Sequence, residues 1–121
     1  MALVSQGKSA RKQSFNVDCN VENQTFDLYT CPANCRAEVE MLMIVNANGN
    51  TTVTVVWNDA SKSYSSRIVG GKNMGAGEYL LFTGATLVLE AGDKLQITPT
   101  GNVSPHIDGL CTVVETFVPV G

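Results

Sequence analysis

The sequence predicts an all-β fold. About eight antiparallel strands stack as a β-sandwich of jelly-roll or immunoglobulin-like type, with an extended N-terminal arm. Three observations predict it. From residue 24 onward, apolar and hydroxylated side chains alternate with the two-residue period of a strand. Clusters of Gly, Asn and Pro interrupt that alternation roughly every 8–14 residues. No stretch carries a convincing apolar stripe of 3.6-residue period, which removes Rossmann and TIM architectures. The 121 residues make one domain. We divide it into a basic-to-polar arm over 1–23 and a sandwich over 24–121.

The elements follow in order. Residues 1–12 hold Lys8, Arg11 and Lys12 and no acid, so they carry +3 while residues 13–121 carry −6, giving the net −3. It has neither the apolar run of a signal peptide nor the roughly 20 apolar residues of a membrane span. The expectation is a chain without an export signal, with the arm ordering on an acidic neighbouring subunit. Arg36 to Val45 reads as a strand buried on both faces, with Val39, Met41, Met43 and Val45 on one side and Leu42 and Ile44 on the other. A short helix is the alternative there. Thr51 to Trp57 places Val53, Val55 and Trp57 on one face. Asn48-Gly49 between these runs suits a tight turn, so the two strands are expected to be antiparallel neighbours. A strand over Tyr64–Val69 runs into a glycine-rich loop over 70–77. Glu78–Phe82 is expected to pair with Thr86–Leu89 through a Gly84-Ala85 turn. Lys94–Thr98 comes next and ends at Pro99-Thr100-Gly101-Asn102. The last strand starts at Ile107 or Leu110 and runs to Val118.

Reactive chemistry finds little support. His106 is the sole histidine, flanked by Ser104 and Asp108. Side chains two apart on a strand stand about 6–7 Å apart, too far for a proton relay. No Gly-x-Ser-x-Gly elbow occurs, and the Gly70–Gly77 segment lacks the order of a phosphate-binding loop. Sequons at Asn23, Asn50 and Asn102 read as chance matches in a Thr- and Asn-rich chain. We therefore expect no enzyme, no cofactor and no resident metal. Cys19, Cys31, Cys35 and Cys111 admit three roles. Cys31-Pro-Ala-Asn-Cys35 has zinc-loop spacing but lacks a second close pair. Disulfides within or between chains are the second role, and small buried side chains the third. Trp57 lies on an apolar face, which favours the core over a sugar platform.

Charged residues are only 16% of the chain, against about 25% usually. Strand faces carrying Thr, Ser, Asn and Gln suit surfaces covered by neighbours. The acidic balance gives no reason to expect nucleic acid, and nothing suggests a membrane.

A family likeness now becomes visible. Tyr29-Thr30-Cys31-Pro32-Ala33-Asn34 is followed by a strand ending Val45-Asn46-Ala47-Asn48-Gly49. Thr52-Val53-Thr54-Val55 with Trp57 comes next. Tyr79-Leu80-Leu81-Phe82 and Leu87-Val88-Leu89-Glu90-Ala91-Gly92-Asp93-Lys94-Leu95 follow later. This series resembles small β-sandwich virion structural proteins of tailed bacteriophages over about residues 25–118. The resemblance implies a virion location and a capsid decoration (cement) role. It further implies homo-oligomers, dimeric or trimeric, contacting the major capsid protein or the tail and neck proteins. A tail, neck or fibre component touching the host receptor is the first alternative. A carbohydrate-binding β-sandwich is the second. The likeness transfers no functional residue. The partner-contact arm with Lys8, Arg11 and Lys12 and the four cysteines depart from its simplest pattern.

Overall fold

A computed structural model describes residues 10–118 of the chain. Among them are eight strands: β1 (Arg11–Cys19), β2 (Phe26–Thr30), β3 (Cys35–Asn46), β4 (Thr51–Asp59), β5 (Tyr64–Met74), β6 (Tyr79–Glu90), β7 (Lys94–Thr100) and β8 (Ile107–Phe117). They form two four-stranded sheets, ordered β1-β8-β3-β6 and β2-β7-β4-β5. All pairings are antiparallel, and β1 pairs with β8, β2 with β7, β3 with β6 and β4 with β5. The chain is therefore one long hairpin doubled at residues 60–63 and rolled up, and β3–β8 and β4–β7 contacts close the roll. This is a jelly roll rather than an immunoglobulin-like sandwich.

The inward residues form one core between the sheets. Ile44, Val53, Val55, Leu89, Leu95, Ile97, Ile107 and Val113 are fully buried. Gly109 belongs to this inward row of β8. A Cβ there would collide with the buried Cδ1 of Ile97 and press on Val17 Cγ1 at 3.4 Å, so the close approach of the sheets requires glycine.

Five expectations are corrected. First, Arg11–Cys19 is a strand of the sandwich and not part of an arm, because its inward Phe15 and Val17 pack on the core. Residues 1–9 of the expected arm, with Lys8, lie outside the described residues. Second, β3 and β4 are not hairpin neighbours but sit in opposite sheets. Their corner is built by the buried Asn46 side chain, which donates to the Gly49 and Met74 carbonyls at 2.5 and 2.8 Å and accepts from Asn48 N–H at 3.1 Å. Gly49 at φ +62 turns this sheet-to-sheet crossing as readily as it would turn a hairpin. Third, β5 runs through Gly70-Gly71, where two residues oppose the single Thr54 and form a bulge. Fourth, the expected Glu78–Phe82 and Thr86–Leu89 pair is not formed: Tyr79–Thr83 and Leu87–Glu90 both lie in β6 and pair in line with β3, with Gly84 in the irregular stretch between them. Fifth, β7 continues through Pro99. The Pro99 carbonyl accepts from Asn23 N–H at 2.8 Å on the β2 side. Its missing N–H therefore costs the β4 ladder nothing.

The both-faces reading of β3 has a partial physical basis. Glu40 is an extra residue between the Val39 and Met41 pairings. This bulge shifts the phase, so Ala37, Val39, Leu42 and Ile44 all face the core. Met41, Met43 and Val45 then occupy the outer face of the sheet.

Candidate functional site

Four places collect the residues of interest: the Glu115 cluster, the Asp93 turn, the cysteines and the outer face of the β1-β8-β3-β6 sheet. The inward register of β8 places Glu115 in a row otherwise made of Ile107, Gly109, Cys111 and Val113, and the carboxylate is only 3% exposed. Tyr29 on β2 donates its hydroxyl to Oε2 at 2.5 Å, and Arg11 and Gln13 on β1 donate to Oε1 at 2.8 and 2.7 Å. The cluster ties both sheets together, and the Phe15 ring packs on Tyr29 with centroids 4.8 Å apart. Burial by itself would raise the Glu115 carboxyl, but the bonds from Tyr29, Arg11 and Gln13 outweigh it and hold it below its ordinary value. Burial, and then the bond to Glu115, pushes the Tyr29 phenol up. A buried charged acid held by three donors from β1 and β2 is a structural clamp.

Asp93 performs a similar task at the opposite sheet. It is 2% exposed and accepts from Trp57 Nε1 at 3.2 Å, Ala60 N–H at 3.0 Å and Glu90 N–H at 3.0 Å. Trp57 is thus half-buried against the core with its polar edge committed, which favours a structural role.

The predicted chemical residues stay apart. His106 Nδ1 lies 3.5 Å from Asp18 Oδ1 on β1. Ser104 donates its backbone N–H to Asn102 Oδ1 and its carbonyl accepts from Asn48 Nδ2, so Ser104 serves the loop before β8, while Asp108 lies on β8 itself. All four cysteines are free, with Cys19, Cys31 and Cys111 buried. Cys19 pairs with Ile107 and Cys111 with Phe15, so four ladder steps, about 13 Å, separate them, beyond disulfide reach. Cys31 Sγ–H points at the Cys35 carbonyl at 3.4 Å. Burial pushes the Cys19 thiol up to about 12, and the Cys31 and Cys111 thiols up to about 11, so all three are protonated and unreactive near neutrality. Among the described residues, no three or more His, Cys, Asp and Glu gather in a metal-binding group.

Of the basic residues assigned to the arm, Arg11 is bound to Glu115, and Lys12 pairs with Glu40 at 3.0 Å within the same chain. What sequence reasoning missed is the outer face. Val45, Met43 and Met41 on β3 align with Tyr79, Leu81 and Thr83 on the edge strand β6 and with Asp108, Leu110 and Thr112 on β8. Tyr79 is 59% exposed and Leu81 51%. The doubled apolar pattern of residues 39–45 was the available signal. A second apolar opening lies between edge strands β5 and β6, a recess of about 210 Å³ lined by Val39, Leu42, Ile68, Phe82, Gly84 and Leu87.

Comparison with known proteins matches no family model and no curated protein. Solved structures do match. One similar chain comes from Bacillus endospore appendages, described as disulfide-linked pili, at 11% identity and TM-score 0.57 over 98% of each chain. Another comes from the capsid of Helicobacter pylori bacteriophage KHP30, at 8% identity and TM-score 0.55 over 90% of this chain and 89% of that one. These likenesses establish the jelly-roll fold.

Proposed function

We propose that the chain is a non-enzymatic structural subunit of a bacteriophage particle, a decoration protein that braces the capsid shell through repeated subunit contacts. One observation carries this reading. The interior is closed, with every buried side-chain nitrogen and oxygen partnered among the described residues, while apolar side chains of β3, β6 and β8 stand on an outer sheet face. Such a face suits contact with other protein subunits, and contacts of about 1,600 Å² repeated over a lattice would add up to a stable shell. The phage-capsid chain among the similar structures supports the same reading.

A second reading is a tail, neck or fibre subunit. It is favoured by the pilus chain, which aligns over nearly the whole length of both proteins. Quantitative mass spectrometry of purified particles, combined with an image reconstruction, tests both. Lattice-scale copy number on the shell supports decoration. A few copies in rings along the tail support the alternative. Absence from particles overturns both.

A further inference from the structure

The outer face of the β1-β8-β3-β6 sheet carries a second feature beside its apolar stripe. Asp18 on β1 and Asp108 on β8 are direct cross-strand partners, two like charges side by side on the same outer face. Directly opposed like charges weaken a ladder, and His106 meets only Asp18 at 3.5 Å. Asp108 in turn shares its row with Val45 and Tyr79. The face therefore sets the Asp18–Asp108 pair on β1 and β8 beside an apolar group of Met43, Val45, Tyr79, Leu81 and Leu110 on β3, β6 and β8. Across the sheet, three strand spacings separate β6 from β1, about 14 Å.

We propose that this face receives residues 1–9 of a second copy of the chain. Met1-Ala2-Leu3-Val4 is apolar, Lys8 is basic, and the segment has no acid. In an extended segment Val4 and Lys8 point to the same side about 13 Å apart, so Val4 reaches Leu81 and Met43 when Lys8 reaches the Asp18–Asp108 pair. The donor cannot be the same chain. Lys8 is three residues before Arg11, a span of about 11 Å at most, and its side chain adds about 6 Å. Asp18 lies seven residues further along β1, about 23 Å from Arg11. The contact is head-to-tail: each copy gives an arm and receives one, so it closes as a ring or continues as an open array. The inference does not rest on the particle reading, because it concerns the full-length chain in solution.

Sedimentation velocity on three full-length proteins tests it. The wild type should associate with concentration. A face variant, Leu81→Asp, and an arm variant, Val4→Asp with Lys8→Glu, should each associate about 100-fold more weakly. Mixed together, the two variants should form a 1:1 dimer and stop there, since one supplies the intact arm and the other the intact face. Formation of that dimer also shows that both variants are folded. Lys8→Glu alone should weaken association about tenfold, and adding Asp108→Lys should restore it. The proposal is overturned if the wild type is monomeric at its highest soluble concentration. It also fails if the arm variant associates like the wild type, or if the mixture of folded variants stays monomeric.

Discussion

Replacing Glu115 with alanine should remove a large part of the stability of this domain. The carboxylate accepts from Tyr29, Gln13 and Arg11. A hydrogen bond to a charged group contributes about 1.5–3 kcal/mol. Arg11 is 63% exposed, so solvent screens its share and the loss rests on the other two bonds. The Tyr29 hydroxyl would be left buried without its acceptor. Together these give a loss of about 3–5 kcal/mol, comparable with breaking one side of a buried charged pair. Domains of this kind have about 5–15 kcal/mol in total. With a urea slope of about 2 kcal/mol per molar, the unfolding midpoint should fall by about 2 M. The pH dependence has a defined sign. The folded Glu115 carboxyl sits below its ordinary 4.5, so its contribution is complete above that value and is lost as pH falls through the folded one. The stability gap between wild type and Glu115→Gln should therefore narrow on acidification below 4.5. A midpoint shift for Glu115→Ala under about 0.5 M at neutral pH would refute the clamp.

Three further outcomes follow from the same geometry. Gly109→Ala should cost about 1–3 kcal/mol in chemical denaturation, because the new methyl meets buried Ile97; a neutral result would show that the sheets can part locally. Asp93→Ala should cost about 2–4 kcal/mol and red-shift emission from Trp57, the sole tryptophan, since the indole loses its partner; unchanged emission would contradict that contact. Native alkylation at neutral pH should modify Cys35 first and leave Cys19, Cys31 and Cys111 unmodified until urea is added; rapid fourfold labelling of the folded chain would contradict their burial.

The strands were legible because alternation is a local property. Val53, Val55 and Trp57 in β4, and Leu95 and Ile97 in β7, face inward as their spacing requires. Partners were not legible, because Asn48-Gly49 serves a crossing between sheets as well as a hairpin. The glycines at 70, 71 and 84 read as turns but sit within strands, where their small size and φ freedom permit irregular pairing. Glu40 hid the phase of β3, since one bulged residue exchanges the two faces. For Glu115, the inward slot in β8 was readable. Its donors Tyr29 and Arg11, 86 and 104 residues away in sequence, were set only by the rolled topology.

The rolled hairpin also dictates an order of events on the ribosome. The β4–β5 pair can close as soon as both strands emerge, whereas β1 must wait for β8, the last described strand, about 100 residues later. Closing so distant a pair is slow. The face of β8 and β3 is thus completed only once β8 has been made, so a chain stopped before residue 107 would lack that finished surface.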